Sequence, residues 1–302
     1  MKIKLYISIA LICYCLGLLS QQMPSVSQFD KNLIHLNPAA TGNQEALTIG
    51  FTYRKQWAGF SGAPSNQVFS AHAPLRNPKV AIGLLLENEN SGSTNYTGIY
   101  LNYAYRVRVA GGKLSFGLKG GINAGSQSVT LRDPNDQAFN KNNNSFVIPN
   151  FGFGILYSKN TYWAGFSIPR LFGFESKSSG SYILSSSTSR YEYFFDGGGK
   201  IYLNSDIDFE PSALVVLSGA FKTRITVNAL GVYRNVYKVG VGYRSGDAII
   251  FQVGYNFNRQ LSLGYSYDLN TGDINKYTSG SHEINMQYRF GYQINASSPR
   301  YF

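Results

Sequence analysis

From Leu47 onward, apolar and polar residues alternate with a period of two, the spacing of strands that show one face to each of two environments. Such runs occur at Leu47–Tyr53, Gln67–Leu75, Val80–Leu86, Thr97–Val107, Leu114–Ile122, Phe151–Tyr157 and Tyr162–Ile168. They continue at Tyr191–Leu203, Phe209–Leu217, Ile225–Tyr233, Tyr237–Tyr243, Ile249–Phe257, Leu261–Leu269 and Ile284–Tyr292. In the fourth run Ile99, Leu101, Tyr103, Tyr105 and Val107 oppose Asn102, Ala104, Arg106 and Arg108. About fourteen strands, an even number, suit an antiparallel transmembrane β-barrel of the bacterial outer membrane. A soluble sandwich alternates in the same way, so the medium must be decided by other features.

Connection lengths supply one such feature. The long connections all follow odd-numbered runs, the first, third, fifth, seventh and thirteenth: Ala58–Asn66, Glu87–Tyr96, Asn123–Asn150, Pro169–Arg190 and Asn270–Glu283. Even-numbered ones such as Ala110–Lys113, Ser158–Thr161, Asn204–Asp208 and Asn258–Gln260 are short. Outer-membrane barrels place short turns in the periplasm and long loops outside. The first hairpin, YRKQWAGFSGAP at Tyr53–Pro64, then has its aromatic tip at the extracellular rim, with Gly59, Gly62, Ala63 and Pro64 turning the chain. Parity aims Arg54 and Gln56 into the lumen, and leaves Trp57 and Phe60 to an interfacial girdle, a packed tip or a partner-binding patch.

Composition favours the membrane. Only 14% of residues are charged, against about 25% in an ordinary soluble domain. Aromatic residues reach 15%, with 23 Tyr and 20 Phe, and there are 32 Gly. No apolar span long enough for a transmembrane helix follows the N-terminus. Residues 1–20 carry Lys2 and Lys4 before an apolar stretch, the pattern of a cleaved signal peptide. Gln21–Asn43 is an irregular lead-in, and residues 44–302 are assigned to the barrel. Cys13 and Cys15 lie in the leader, so the mature chain would hold no disulfide or thiolate site. Net charge falls from +11 to +9 when Lys2 and Lys4 leave. An exported barrel would direct that excess to its lumen or to anionic surfaces rather than to nucleic acid.

The sequence holds no evident catalytic constellation. His35, His72 and His282 could be drawn together with Asp268 or Asp196, but no motif orients a nucleophile beside them. Asp133 and Asp136 sit in DPND, an ordinary turn sequence. No catalytic residue, cofactor or metal is therefore expected. Inward charges remain: Arg106, Arg108, Lys119, Glu192, Lys200 and Arg289, with Arg54, Lys238, Arg244, Glu87, Asp196 and Glu283. They fit either an anion path or a packed salt-bridge network, and fourteen strands, narrower than open porins, favour the network.

Several stretches resemble one family. YRKQWAGFSGAPSNQVFSAHAPL at Tyr53–Leu75 is similar to the hallmark of the PorP/SprF family, outer-membrane proteins associated with type IX secretion in Bacteroidetes. QFDKNLIHLNPAATG at Gln28–Gly42, with its Asn37-Pro38 step, resembles the family's N-terminal segment. NYAYR at Asn102–Arg106, KLSFGLKGG at Lys113–Gly121 and HEINMQYRF at His282–Phe290 resemble its strands. His35-Leu36 before Asn-Pro, where a Tyr is expected, and the tail to Phe302 depart from the pattern. The resemblance implies a non-catalytic barrel, monomeric within a larger complex and embedded in outer-membrane lipid. Its partners would be a secreted surface adhesin, including gliding adhesins, or other components of the machinery. A porin or solute channel is the alternative function.

Overall fold

The computed structural model describes residues 25–127, 144–176, 182–185, 191–219 and 222–291. The leader, Gln21–Pro24, Asp133, Asp136 and Phe302 lie outside the described residues. Strands β1 (Thr48–Lys55), β2 (Ser65–Pro74), β3 (Val80–Ser91), β4 (Thr94–Val109), β5 (Gly112–Gln127), β6 (Asn144–Lys159) and β7 (Tyr162–Ile168) form successive antiparallel pairs. A separate two-stranded hairpin follows, β8 (Gly173–Ser176) with β9 (Tyr182–Ser185). The wall resumes with β10 (Glu192–Gly199), β11 (Ile201–Tyr202), β12 (Ile207–Ser218), β13 (Arg224–Tyr233), β14 (Tyr237–Arg244), β15 (Ala248–Asn256), β16 (Leu261–Asn270) and β17 (Ser281–Arg289).

Fourteen of these strands close into a barrel. β1 pairs with β17 and β10 with β12, so neither end of the sheet is left as an edge. β11 is a short extra strand that pairs with β12 beyond the end of β10. Alternation sets the faces: Leu101, at 68% exposure, points outward, whereas Asn102, Ala104 and Arg106 are buried in the lumen. A barrel in lipid satisfies every ladder hydrogen bond between its own strands, which is why strands of mixed polarity can span. On the outer face, at the end joined by short turns, aromatic pairs such as Tyr237–Tyr255 (5.3 Å), Tyr255–Phe257 (4.8 Å) and Tyr157–Tyr162 (6.0 Å) form a belt.

The long connections differ from the sequence expectation. Glu87–Tyr96 is not a loop, because β3 and β4 pair to Ser91↔Thr94 and only Gly92 and Ser93 turn the chain. Polar side chains continue the ladder there: Asn88 Nδ2 donates to Asn95 Oδ1 at 3.2 Å and to Thr97 Oγ1 at 3.0 Å. Pairing needs backbone groups, not apolar side chains, so loss of the apolar face does not end a strand. Much of Asn123–Asn150 is likewise strand, with Gln127 paired to Asn144. The result is a wall of unequal height: β4, β5 and β6 have 16 residues each, β14 has 8 and β17 has 9.

The lead-in does not stay outside this wall. Residues from Ser25 to Ala46 run through the lumen, with one helical turn, α1 (Leu33–Leu36), and a 3₁₀ turn at Pro38–Ala40. Ser25 contacts Arg54 near the end joined by long loops, the loop end. Glu45 pairs with Lys113 at the opposite, turn end. The segment fills the bore with its own core: Phe29 and Leu36 pack on Phe194, Leu214 and Val216, and Leu33, Ala39 and Ala40 on Leu156.

Candidate functional site

The lumen and the plug inside it hold nearly all the buried charge, so the site is built there. At the loop end the plug carries Ser27 and Gln28 past β1, β14, β16 and β17. The Glu283 carboxylate accepts both backbone N–H groups, Ser27 on Oε2 and Gln28 on Oε1, each at 2.8 Å. Ser27 Oγ donates to Asp268 at 2.8 Å and accepts from Arg54 at 2.8 Å and from Arg244 at 2.7 Å. One hydroxyl thus uses its single proton and both lone pairs. Arg54 also bridges Asp268 (2.7 Å) and Glu283 (3.2 Å), while Arg244 reaches Asp268 (2.8 Å) and Asp247 (3.0 Å). Asn228 Nδ2 donates to the Ser27 carbonyl at 2.9 Å. Arg54, Arg244, Asp268 and Glu283 are all at most 4% exposed, two cations balanced by two carboxylates, as buried ions require.

Midway down, Asn32 bridges β1 and β2: its Nδ2 donates to Thr52 at 3.3 Å and its Oδ1 accepts from Ser70 at 3.1 Å. Asn37 is fully buried. Its Nδ2 donates to Asp196 (3.1 Å) and to the Ile155 carbonyl (3.2 Å), and its Oδ1 accepts from Ala39 N (3.0 Å), capping the 3₁₀ turn. Pro38 fits as the first residue of that turn, where no N–H is needed. The wall opposite has glycine at Gly117 and Gly154, where a Cβ would overlap Pro38–Ala39 and Asn37 respectively. These glycines make the groove that seats the Asn-Pro step.

Across the lumen, β3, β4 and β5 meet α1 less completely. His35 Nε2 lies 3.3 Å from Glu87 Oε1, and Lys119 Nζ lies 3.9 Å from the same oxygen. Neither approach has hydrogen-bond geometry, so these three atoms have no hydrogen-bond partner, and neither does either amide atom of Asn102. Glu87 is held instead by Arg170 at 2.9 Å, and Lys119 stands over the Tyr100 ring at 4.5 Å.

Toward the turn end, Arg106 donates to the Thr41 carbonyl, and Gly42 N donates to His72 Nδ1 at 2.9 Å. Below them opens a cavity of about 790 Å³ lined by the plug and the β13–β17 turns, including Asp30, Lys31 and Gln44.

The residues singled out from sequence are therefore dispersed. Arg54 belongs to the loop-end network, not to the hairpin tip. Gln56 is half-buried just beyond β1, its N–H bonded to the Pro64 carbonyl at 2.9 Å. Trp57 is half-buried at φ 50°, a left-handed conformation unusual for a bulky residue, and its N–H donates to Ser281 Oγ at 3.1 Å. Gly59 (φ 89°) and Gly62 (φ 74°) form the turns, Ala63 is buried, and Phe60 is 45% exposed. Ala58 bonds Gly280 and Ser279, and Gly62 accepts from Gly92, tying the tip to its neighbours.

Arg106, Lys119 and Glu192 face the lumen and are buried. Arg108 and Arg289 do not: both are exposed at the turn end, because parity fixes a residue's face but not its depth. Lys200 stands at the same mouth, paired with Asp208 at 2.7 Å. Asp196 and Asp268, considered with the histidines for catalysis, are bound to Asn37 and to Arg54, Arg244 and Ser27. Sequence reading passed over Ser27; its signal is the small polar pair Ser25 and Ser27 ahead of the apolar Phe29, Leu33 and Leu36.

Residues 18–288 match the model of a family described as "Type IX secretion system membrane protein PorP/SprF". No curated protein matches the chain. Among solved structures, the chain is similar to the Acinetobacter baumannii outer membrane protein Omp33, at 7% identity and a TM-score of 0.46, over 82% of this chain and 98% of that one. A Pseudomonas aeruginosa FadL homologue gives 14% identity and a TM-score of 0.45, over 84% and 93%. The translocator domain of the autotransporter NalP from Neisseria meningitidis gives 13% and 0.41, over 81% and 88%.

Proposed function

The chain belongs to the PorP/SprF family of type IX secretion system membrane proteins, and from that premise we propose that it is a non-catalytic outer-membrane barrel of that machinery. In this reading it assists secretion or surface anchoring of a partner adhesin, or links the machinery to the outer membrane. The observation that carries the reading, beside the family, is the bore. A segment of the chain's own N-terminus fills it and is clamped by buried ion pairs, the build of a scaffold rather than of an open solute path. The short turns face the periplasm and the long loops and raised β3–β6 wall face outward. The first-hairpin tip, with exposed Phe60 beside half-buried Trp57, is then an extracellular surface for a partner.

Deleting the gene is expected to remove a surface adhesin from the cell and reduce spreading. Retained adhesin with impaired solute uptake, or large stable conductance in planar bilayers, would favour a channel instead. Trp57→Ala with Phe60→Ala is expected to leave a heat-modifiable barrel while lowering adhesin display. Normal display in that double variant would leave the tip a structural closure.

A further inference from the structure

The cavity at the turn end has more positive charge than its walls neutralise. Lys31 is shared between Asp30 and Glu210, the latter at 3.9 Å, and Arg234 is paired with Asp206 at 3.1 Å. Lys238, Arg259 and Arg289 also line the cavity, and among the described residues none has a carboxylate within ion-pair distance. Lys238 is half-buried and lies within electrostatic reach of Lys31, Lys200, Asp30 and Glu210, so three ammonium groups share Asp30, Glu210 and the Asp208 that Lys200 holds. Arg289 makes one neutral hydrogen bond, to Gln44 Oε1 at 3.1 Å.

We propose that this cavity is a docking site for an acidic polypeptide segment that enters from the turn end. Its volume, about 790 Å³, lies in the range of ligand pockets. Five cations line the cavity against the carboxylates of Asp30 and Glu210, and such an excess of one sign in a cleft with low-dielectric walls concentrates the field and raises the local concentration of an anion. The charges sit inside the mouth, on the inward face and on turns around the plug, whereas the outer face at this level carries the aromatic belt. The geometry therefore favours a chain approaching along the barrel axis over a lipid headgroup approaching from the side. Because Lys31 and Gln44 belong to the plug, an occupant would touch the plug and the wall at once. The site is read from charge and shape; only the assignment of its natural occupant to the secretion pathway rests on the reading above.

The test uses the full chain purified in detergent and a fluorescein-labelled deca-glutamate peptide, followed by anisotropy. Saturable binding is expected, falling as salt rises. Arg259→Glu with Arg289→Glu, both exposed and remote from the plug clamp, is expected to weaken binding at least tenfold with heat-modifiability intact. Lys238→Gln is expected to weaken it several-fold. The inference is overturned if wild type shows no saturable binding or the double variant binds equally well. It is also overturned if labelled deca-glutamine binds as tightly as labelled deca-glutamate, or if mixed detergent micelles containing phosphatidylglycerol displace the peptide while excess unlabelled deca-glutamate does not. Adhesin display in the deletion strain is a separate readout, so the two readings fail independently.

Discussion

On the wall formed by β1, β14, β16 and β17, the plug is held by a network in which Ser27 Oγ has no unused valence and four buried charges cancel. On the facing wall, β3 to β5, Glu87, Asn102 and Lys119 crowd His35 of the same plug, and each of the four has a buried atom without a hydrogen-bond partner. The composition of the two walls is similar; the geometry is not. A buried ion pair contributes net stability only when its remaining donors and acceptors are also met. The first wall meets that condition at Ser27 Oγ and at the Asp268 and Glu283 carboxylates, with only Arg54 Nε, Arg244 Nε and Asn228 Oδ1 of this network left without a hydrogen-bond partner, and those bonds fix the plug's position. The second leaves buried polar atoms that gain from any rearrangement or water that satisfies them.

Substitutions on each wall separate the two cases. The largest effect is expected for Asp268→Ala, which leaves Arg54 and Arg244 facing each other without their shared carboxylate. Breaking a buried pair in this way costs about 3–5 kcal/mol. The denaturant midpoint of the purified barrel should fall accordingly, and an unchanged midpoint would remove the clamp from the account. Gly117→Val comes next, because its side chain overlaps Pro38 and Ala39 and overpacking costs roughly 1–3 kcal/mol. The expected readout is a plug cleaved by added protease while the heat-modifiable barrel survives; a protected plug would mean that the wall yields instead.

Ser27→Ala removes one donor and two acceptors but no charge, and is expected to cost about 1–3 kcal/mol by leaving buried partners unmet. Hydrogen exchange of the 25–32 segment should rise more than that of the strands. Lys119→Met, on the loose wall, should shift the midpoint by no more than about 1 kcal/mol, in either direction, since Glu87 keeps Arg170. If it matched Asp268→Ala, the two walls would be equivalent and the comparison would fail.

How much of this was legible in the sequence follows from what period-two alternation encodes. It encodes face, so the fourteen strands, the outward Leu101 and the inward Arg54 and Lys119 were readable. It does not encode depth, so Arg108 and Arg289, with the parity of lumen residues, emerge at the rim. Nor does it encode where pairing stops: Asn88 and Asn95 look like loop and extend a ladder. Ser25–Ala46 has no period at all, and its partners are contributed one or two at a time by distant strands. No local pattern marks Asn37 as the partner of Asp196, 159 positions away. In the hairpin motif parity separates neighbours in sequence: it aims Arg54 inward, where the residue is buried, and leaves Phe60 at the tip, where it is exposed.

The contacts of Ser27 and Asn32 have a consequence for how the molecule is made. Ser27 bonds both sides of the seam where the first strand meets the last, Arg54 of β1 and Glu283 of β17, and Asn32 donates to Thr52 of β1, whose hydroxyl also accepts from Asn285 of β17. The Ser27–Glu283 bond spans 256 positions, so it forms only when the final strand has arrived. The N-terminal segment is thus both filler and stitching, a thread laid down first and knotted last, and sealing the cylinder is the same event as locking its bore.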